Sequence, residues 1–243
     1  LGDIYINDAF SCSHRKQSSI HNITKFLDRC FAGPLLKKEI DAINLVIKNK
    51  KEPVTCIIGG SKISTKINVL SNLIREVNSL IIVGAMANNF FLYKNLNIGK
   101  SLVESDTKEI IEKIYEKAKK NNCEIVLPED CIVSTSFDGE GKNKNLDQIE
   151  NSEMILDIGV NTITKIKGII DHSNTVLWNG PAGYFENKNF LKGTISIAET
   201  ISKNTSKKNL ISVIGGGDTL AAINKNKNKL SFSHLSTAGG AFL

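Results

Sequence analysis

Short apolar runs that stop at glycine are the feature of this sequence that most constrains its fold. A pattern typical of a helix follows each run, and such runs favour strands buried on both faces of a parallel sheet. Because the carboxyl ends of parallel strands share one edge, the glycine turns should line one crevice suited to a phosphate-bearing ligand. The five runs are 54–58, 80–83, 175–178, 210–214 and 234–237, and glycines follow at 59–60, 84, 180, 215–217 and 239–240.

The alternation of strands and helices predicts an α/β fold with a doubly wound, mainly parallel sheet and helices on both faces, a Rossmann-like architecture. A fourth strand is predicted at 124–127, and a further apolar run lies at 154–158. The polar segment 134–145 is predicted to be a surface loop or hairpin. Helices are predicted at 34–48, 62–76, 86–94, 107–120, 190–203 and 217–224, and residues 105–107 offer a cap for the helix at 107–120.

The first 50 residues do not follow this alternation. A short strand at 3–7, a polar loop at 11–23 and one helix are too little to form a domain alone. The chain also starts at Leu1 in the middle of a sequence pattern and without an initiating methionine, which favours a fragment of a longer protein. We therefore predict the remnant of a preceding α/β domain, then a connecting helix, then the main domain.

Composition restricts the classes of partner. The net charge is +6, but the lysines are scattered, and the densest runs, 48–51 and 225–229, contain no aromatic residue, which argues against nucleic-acid binding. No apolar stretch approaches the ~20 residues of a membrane span, so no membrane partner is expected. Five cysteines without CxxC spacing favour a reducing, cytoplasmic location without disulfides or zinc.

Two lysines, Lys62 and Lys66, follow the first glycine pair, Gly59 and Gly60. The segment does not match the GxxxxGK[ST] pattern of a Walker A loop. Four residues apart at the start of a predicted helix, the two ammonium groups repel each other and oppose the helix dipole. A bound anion would turn both penalties into attraction. Two solvated surface lysines are the alternative explanation.

A second glycine-rich turn consists of Gly215, Gly216 and Gly217, followed by Asp218. Successive glycines let main-chain amides approach an anion at the start of a helix. Asp218 is explained either as a helix cap or as a carboxylate that faces Mg²⁺, which prefers hard oxygen ligands. The two roles are compatible.

Three other segments carry candidate binding groups. The segment 178–186 joins a tryptophan, a glycine-rich loop and Glu186, which suits a nucleoside whose ribose hydroxyls bind the carboxylate. A solvated loop charge is the alternative for Glu186. Arg15 follows His14 in a loop and can bind a carboxylate or phosphate with two hydrogen bonds, although such pairs are commonly just surface. The segment 234–240 offers further free amides.

Together and in this order, these segments closely resemble the phosphoglycerate kinase family. The resemblance spans essentially the whole chain. The matching segments are DIYINDAFSCSHR (3–15), AGPLLKKEI (32–40), GGSKISTKI (59–67), GAMANNFFL (84–92), LPEDCIV (127–133), LDIGVNTI (156–163), LWNGPAGYFE (177–186), GGGDTLAAI (215–223) and SHLSTAGGAFL (233–243). Gln17, Val160 and Ala238 depart mildly from the family pattern.

The resemblance implies a two-lobed enzyme of glycolysis and gluconeogenesis that transfers a phosphoryl group between 1,3-bisphosphoglycerate and ADP. Mg²⁺ is the implied cofactor, and ADP or ATP is the nucleotide. Such a transfer needs in-line positioning and charge neutralisation rather than a covalent intermediate. By analogy, Lys62, Gly217 and Gly240 act on the moving phosphoryl group, Asp218 binds the metal and Arg15 binds 3-phosphoglycerate.

The residues that the resemblance assigns to nucleotide binding are Lys62, Lys66, Gly84, Ala85, Leu156, Gly159, Asn179, Pro181, Glu186, Gly216, Gly217, Asp218 and Thr219. Gly84, Ala85, Leu156 and Gly159 border the adenine in this analogy. Glu186 takes the ribose, whereas Lys66, Asn179 and Thr219 contact phosphates. The amides of Gly216, Gly217, Gly239 and Gly240 cradle the transferred group.

The resemblance also divides the chain. It makes 1–33 the remnant of a 3-phosphoglycerate-binding domain, 34–50 an interdomain hinge helix and 51–243 the nucleotide-binding domain. Because most of the family's triose-phosphate site precedes the segment where this chain begins, the chain alone should bind Mg-nucleotide weakly and be catalytically incomplete. A monomer is expected at full length. A free-standing nucleotide-binding module is the alternative, whereas a nicotinamide dehydrogenase lacks its GxGxxG motif here.

Overall fold

Strands and helices alternate through most of the chain, for which a computed structural model describes residues 2–226, 228–236, 238 and 241. The strands are β1 (Tyr5–Asn7), β2 (Cys30–Ala32), β3 (Val54–Ile58), β4 (Ser79–Ile82), β5 (Glu124–Val126), β6 (Asp130–Ser134), β7 (Lys142–Asn145), β8 (Met154–Ile158), β9 (Thr175–Asn179), β10 (Ile211–Gly215) and β11 (His234–Ser236). The α-helices are α1 (Pro34–Ile47), α2 (Ile67–Leu73), α3 (Ala85–Tyr93), α4 (Lys108–Lys120), α5 (Val160–His172), α6 (Lys192–Lys208) and α7 (Gly217–Ile223).

The main sheet has six parallel strands in the order β11-β10-β9-β3-β4-β5. All five apolar runs that end at glycine belong to it. The central strands β3 and β9 are buried along their whole length, as expected for parallel strands covered on both faces. The predicted doubly wound α/β architecture is therefore confirmed.

The two faces of this sheet contribute to separate apolar clusters. Cys56 and Ile58 of β3 pack with residues of α1, α2, α3 and α4, whereas Ile57, between them, packs with α5, α6 and α7. Alternate side chains of a strand point to opposite faces, so both clusters share this one strand. Trp178 of β9 is fully buried in the second cluster.

A three-stranded antiparallel sheet, β7-β6-β8, stands beside the main sheet. The polar segment 134–145 is a hairpin between β6 and β7, as predicted. The apolar run 154–158 forms β8 and thus belongs to this second sheet rather than to the parallel one. Its pairing with β6 is set by contacts distant in sequence, which the run itself does not encode.

Helix α5 was not predicted, because its β-branched residues carry a weak helical signal. Its own N-cap, Gly159, makes no side-chain cap hydrogen bond. The cap comes instead from Asp130 of β6, whose carboxylate accepts the amides of Asn161 at 3.0 Å and Thr162 at 2.8 Å. A cap that lies 32 residues away in the chain leaves no local motif.

The single helix predicted at 62–76 was wrong. Residues 64–66 form a 3₁₀ turn, and α2 covers only Ile67–Leu73, so Lys62 precedes the helical segment. Thr107 stands at the N-cap of α4 but makes no side-chain cap hydrogen bond there. The predicted helix at 190–203 continues to Lys208 and ends at Asn209, which adopts the left-handed conformation with φ of 56°.

The first 33 residues contribute a separate two-stranded parallel sheet of β1 and β2. Helix α1 follows and packs on the first apolar cluster through Leu36, Ala42 and Val46. The predicted division into domains at residues 33 and 50 stays a prediction. In the described residues, no helix has the length and apolar character needed to cross a membrane.

Candidate functional site

A cavity of about 560 Å³ lies at the carboxyl edge of the main sheet. Turns after four strands reach it: Gly60 follows β3, Gly84 follows β4, Pro181 follows β9 and Asp218 follows β10. The predicted site residues on its wall are Gly84, Ala85, Leu156, Pro181, Glu186 and Asp218. The structure thus brings together residues that are more than 130 positions apart in the chain.

Backbone packs directly on backbone where the turns meet. A Cβ atom at Gly59 would lie 2.2 Å from the carbonyl oxygen of Pro181, and one at Gly84 would lie 3.0 Å from the same oxygen. Gly84 also has a φ of +67°, which side chains disfavour. The Gly59 amide donates to the Asn179 carbonyl at 2.8 Å. Gly59 therefore requires glycine for space, and Gly84 requires it for conformation as well.

Lys66 lies against the glycine turn after β3. Its Nζ donates to the carbonyl oxygen of Gly59 at 2.8 Å. Burial lowers the pKa of Lys66, while electrostatic interactions with Cys56 and Asp218 act in the opposite direction. A partly desolvated ammonium group binds an anion more strongly than an exposed one, so this position suits a phosphate.

Asn179 and Thr219 meet beside Gly216. The Asn179 side chain is 5% exposed, and its Nδ2 has no hydrogen-bond partner among the described residues. A Cβ atom at Gly216 would lie 3.1 Å from both Asn179 Nδ2 and Thr219 Oγ1. Thr219 Oγ1 in turn accepts the Gly180 amide at 2.7 Å. A buried donor without a partner beside a glycine turn fits an anionic oxygen.

An apolar wall closes the other part of the cavity, and only Leu156 of this wall was predicted. The Phe137 ring, from the β6–β7 hairpin, lies 4.9 Å from the Tyr184 ring, centroid to centroid. The Asn187 side-chain amide donates to the Phe137 carbonyl at 2.8 Å and holds the hairpin against this loop. The wall consists of Phe91, Leu102, Phe137, Met154, Ile155, Leu156 and Tyr184. Such a surface suits a flat heterocyclic ring.

Asp157 is a cavity residue that sequence reasoning missed. Its side chain is 2% exposed, and its carboxylate accepts the amides of Ile158 at 2.9 Å and Gly193 at 2.8 Å. Burial raises the pKa of Asp157 to about 7, against the opposing effect of those two amides and of Lys192. The sequence signal that could have revealed Asp157 is the presence of a carboxylate inside an otherwise apolar strand.

The carboxylate of Asp218 provides one hard oxygen ligand at the cavity, where its side chain is exposed. Within the described residues, no three or more His, Cys, Asp or Glu side chains converge on a metal position. Mg²⁺ commonly keeps several waters and is held by one or two carboxylates together with substrate phosphates. The donor set therefore fits a magnesium–nucleotide complex rather than an all-protein metal centre.

Some predicted residues do not line the cavity. Lys66, Asn179, Gly216 and Thr219 lie beside it, next to the turns that reach it. A Cβ atom at Gly159 would lie 2.2 Å from Asp130 Cγ, so the tight packing of Gly159 is explained by the cap of α5. Lys62 is exposed just before the 3₁₀ turn, and Arg15 is exposed in the segment before α1. Gly217 begins α7 with open space around its Cα. Gly239 and Gly240 lie outside the described residues.

Comparisons with known proteins identify the family of this chain. A family model described as phosphoglycerate kinase matches residues 1–243. The phosphoglycerate kinase of Wolbachia pipientis (subsp. Culex pipiens, strain wPip) is 46% identical over all of this chain and 62% of its own length, and that of Methylorubrum populi is 42% identical over 61% of its own length. The chain thus spans about three fifths of the curated relatives it matches.

Two solved structures give the same result. The phosphoglycerate kinase of Coxiella burnetii aligns with a TM-score of 0.91 and 38% identity, over 100% of this chain and 62% of that protein. The phosphoglycerate kinase of Pyrococcus horikoshii aligns with a TM-score of 0.81 and 28% identity, over 99% and 60%. Fold and sequence therefore point to the same family.

Proposed function

The chain belongs to the phosphoglycerate kinase family, and we propose from this premise that it is the nucleotide-binding part of an enzyme that transfers a phosphoryl group between 1,3-bisphosphoglycerate and ADP. The products are 3-phosphoglycerate and ATP. One observation carries the proposal: a cavity with an apolar wall reaches Gly60 and Asp218, and Lys66 and Asn179 Nδ2, the latter unpaired within the described chain, lie beside the two glycine turns that contain or precede these residues. A nucleoside diphosphate has the matching pair of parts, a flat base and an anionic tail.

The proposed orientation of the nucleotide follows from this polarity. The base lies against the apolar wall, bordered by Gly84, Ala85 and Leu156. The ribose hydroxyls bind Glu186, which is exposed at the cavity. The backbone carbonyls of Phe185 and Glu186 accept Lys225 Nζ at 2.8 Å and 3.2 Å, which fixes the loop and leaves the Glu186 carboxylate available. Pro181 supports the turn between base and phosphates.

The phosphates then lie at the carboxyl ends of β3, β9 and β10. Lys66, the Asn179 side-chain amide and Thr219 bind the tail, beside the amides of Gly216 and Gly217. Asp218 would hold Mg²⁺, which when bound neutralises phosphate charge. Lys62, Gly217 and Gly240 are proposed to stabilise the moving phosphoryl group, since this transfer needs charge neutralisation and positioning rather than a protein nucleophile.

The triose substrate belongs to the other part of the proposed enzyme. Arg15 is proposed to bind 3-phosphoglycerate, in line with its place in the segment 1–33, and 34–50 is proposed as the hinge helix that joins it to the nucleotide domain at 51–243. We propose that the chain alone is catalytically incomplete, and that the full-length protein is a cytoplasmic monomer. A free-standing nucleotide-binding module is not favoured, because the family match extends over all 243 residues.

Titration calorimetry with MgADP tests nucleotide binding on this chain. Replacing Lys66 with alanine removes a charged donor from the phosphate end, so the affinity should fall by about 10–100-fold. Lys167→Ala is the matched control, because Lys167 is exposed on α5 and does not line the cavity. An affinity that is equal in both variants, or no binding by the unaltered chain, would contradict the proposal.

A coupled assay with 1,3-bisphosphoglycerate and MgADP tests the proposal that the chain alone is catalytically incomplete. The chain alone should bind nucleotide yet show almost no ATP formation, because the chain spans about three fifths of its relatives and the triose phosphate is proposed to be positioned chiefly by the part that it does not span. Turnover close to that of a full-length relative would refute the proposed incompleteness.

A further inference from the structure

A carboxylate that the predicted site does not include binds the lysine segment, residues 61–66, which carries both Lys62 and Lys66. Glu104 lies in the loop between α3 and α4. Its Oε2 accepts the amides of Ile63 at 2.5 Å and Ser64 at 3.0 Å, and its Oε1 accepts the Ser64 hydroxyl at 2.5 Å. Ile63 and Ser64 stand between the two lysines, so this one carboxylate fastens the backbone that connects the two cations.

Glu104 is itself fastened to helix α3. Its amide donates to Asn89 Oδ1 at 2.9 Å, and Asn88 Nδ2 donates to the Leu102 carbonyl at 3.0 Å. Asn88 and Leu102 both line the cavity. Hydrogen bonds therefore connect the wall of the cavity, through the loop of Glu104, to the lysine segment.

The 3₁₀ turn of the lysine segment is not capped by its own N-cap residue. Ile63 occupies that position and makes no side-chain cap hydrogen bond. Burial acts to raise the pKa of Glu104, but the hydrogen bonds from Ser64 and Ile63 and the charge of Lys62 outweigh it and hold the pKa below its usual value. Glu104 is thus an ionised cap supplied from 40 residues away.

We propose that Glu104 is a positioning residue, which holds the lysine segment so that Lys62 and Lys66 present their charges to the phosphates of a bound nucleotide. This inference rests on the proposed function, because it takes the two lysines as phosphate ligands. Glu104 acts through the backbone of Ile63 and Ser64. Without Glu104, the lysine segment is free to move in the unbound chain and must be ordered when the nucleotide binds. This entropic cost weakens the affinity for the phosphates but not for the nucleoside.

Titration calorimetry with adenosine and with MgADP separates the two contributions. Glu104→Ala should bind MgADP about tenfold more weakly and adenosine as before, because the lysine segment is then no longer held in place for the phosphates. Glu104→Gln should retain most of the MgADP affinity, since its carbonyl oxygen can accept the two amides while its NH₂ donates to Ser64 Oγ. Glu116→Ala, which removes an exposed carboxylate on α4, is the control for charge.

Equal losses for adenosine and MgADP in Glu104→Ala would overturn the positioning role, because a general structural defect weakens both. An unchanged MgADP affinity would overturn it as well. The positioning role also requires that the Glu104→Gln variant restores the affinity for MgADP. If Glu104→Gln loses as much affinity as Glu104→Ala, the charge of Glu104 rather than the geometry that it holds is responsible, and the positioning role is refuted.

Amide hydrogen exchange in the ligand-free chain provides a second test that does not depend on nucleotide binding. The amides of Ile63 and Ser64 should exchange faster in Glu104→Ala and keep most of their protection in Glu104→Gln. Unchanged exchange in Glu104→Ala would overturn the proposal. A wild-type chain that does not bind MgADP would contradict the proposed function, and the exchange rates would still decide whether Glu104 holds the segment.

Discussion

Burial affects two ionisable side chains near the cavity in opposite directions. It raises the pKa of Asp157 and lowers the pKa of Lys66, so in both cases it favours the neutral form. Their partners differ, however. Asp157 already has two backbone amides, whereas Lys66 has one carbonyl and an adjacent glycine turn. Lys66 therefore gains most from a bound anion, and Asp157 affects chiefly the stability of the fold.

Asp157→Asn should remove a pH dependence of stability. The pKa of about 7 in the folded chain exceeds the ordinary value of about 3.9, so this group's contribution is fully present below pH 4 and is lost as the pH rises through 7. Between pH 5 and 7, the wild-type free energy of unfolding should fall relative to the variant by up to about 1.4 kcal/mol per pH unit. Urea unfolding at several pH values measures this difference.

Glu116→Gln is the control for the pH experiment, because its carboxylate is exposed on α4. It should follow the wild-type curve at every pH. A difference between wild type and Asp157→Asn that stays constant from pH 5 to 8 would show that Asp157 is already ionised in the folded chain at pH 5.

At the scale of elements, the cavity depends on how closely the turns after β3, β4 and β9 approach one another. Gly59, Gly84 and Gly180 let these backbones touch, and the contacts are to backbone atoms of the turns that follow β3 and β9. A side chain at such a position displaces a turn rather than another side chain. The substitution therefore destabilises the edge of the sheet and also changes the shape of the cavity.

Gly59→Ala should destabilise the chain by about 1–3 kcal/mol or more, since the new Cβ atom would lie 2.2 Å from the Pro181 carbonyl oxygen. Gly168→Ala is the matched control in α5, where no atom lies within 4 Å of the new Cβ. That variant should be more stable than wild type by about 0.4–1 kcal/mol, because alanine reduces the entropy of the unfolded chain. Urea unfolding compares the two, and equal effects would contradict the packing described for Gly59.

At the scale of the molecule, helix α1 is joined to the edge strand β11 by a buried side-chain hydrogen bond. Glu39 Oε2 and His234 Nε2 lie 2.9 Å apart, with side chains 5% and 8% exposed, although 195 residues separate them. The pair connects the predicted hinge helix to the main sheet. Because both groups are buried, each depends on the other for its hydrogen bond.

Glu39→Ala should therefore lower the free energy of unfolding by about 1–3 kcal/mol, because it leaves His234 buried without its hydrogen-bond partner. The exposed pair Lys37–Asp41 on the same helix offers the control, and Asp41→Ala should cost less than about 0.5 kcal/mol. A double-mutant cycle with His234→Ala should give a coupling energy of about 0.5–3 kcal/mol. Additive effects of the two substitutions would mean that the pair contributes no coupling.

The sequence by itself determined the parallel sheet and the crevice at its carboxyl edge. These follow from local patterns, since an apolar run buried on both faces and a glycine turn after it are readable within ten residues. Of the cavity residues, Asp218 was indicated by its glycine-rich turn, whereas Leu156 was assigned through the family resemblance, and most of the apolar wall was not predicted. The tertiary structure decided what depends on distant partners. Asp130 caps α5, Glu104 binds the amides of Ile63 and Ser64, and β8 pairs with β6, because each is fixed by hydrogen bonds from another part of the chain.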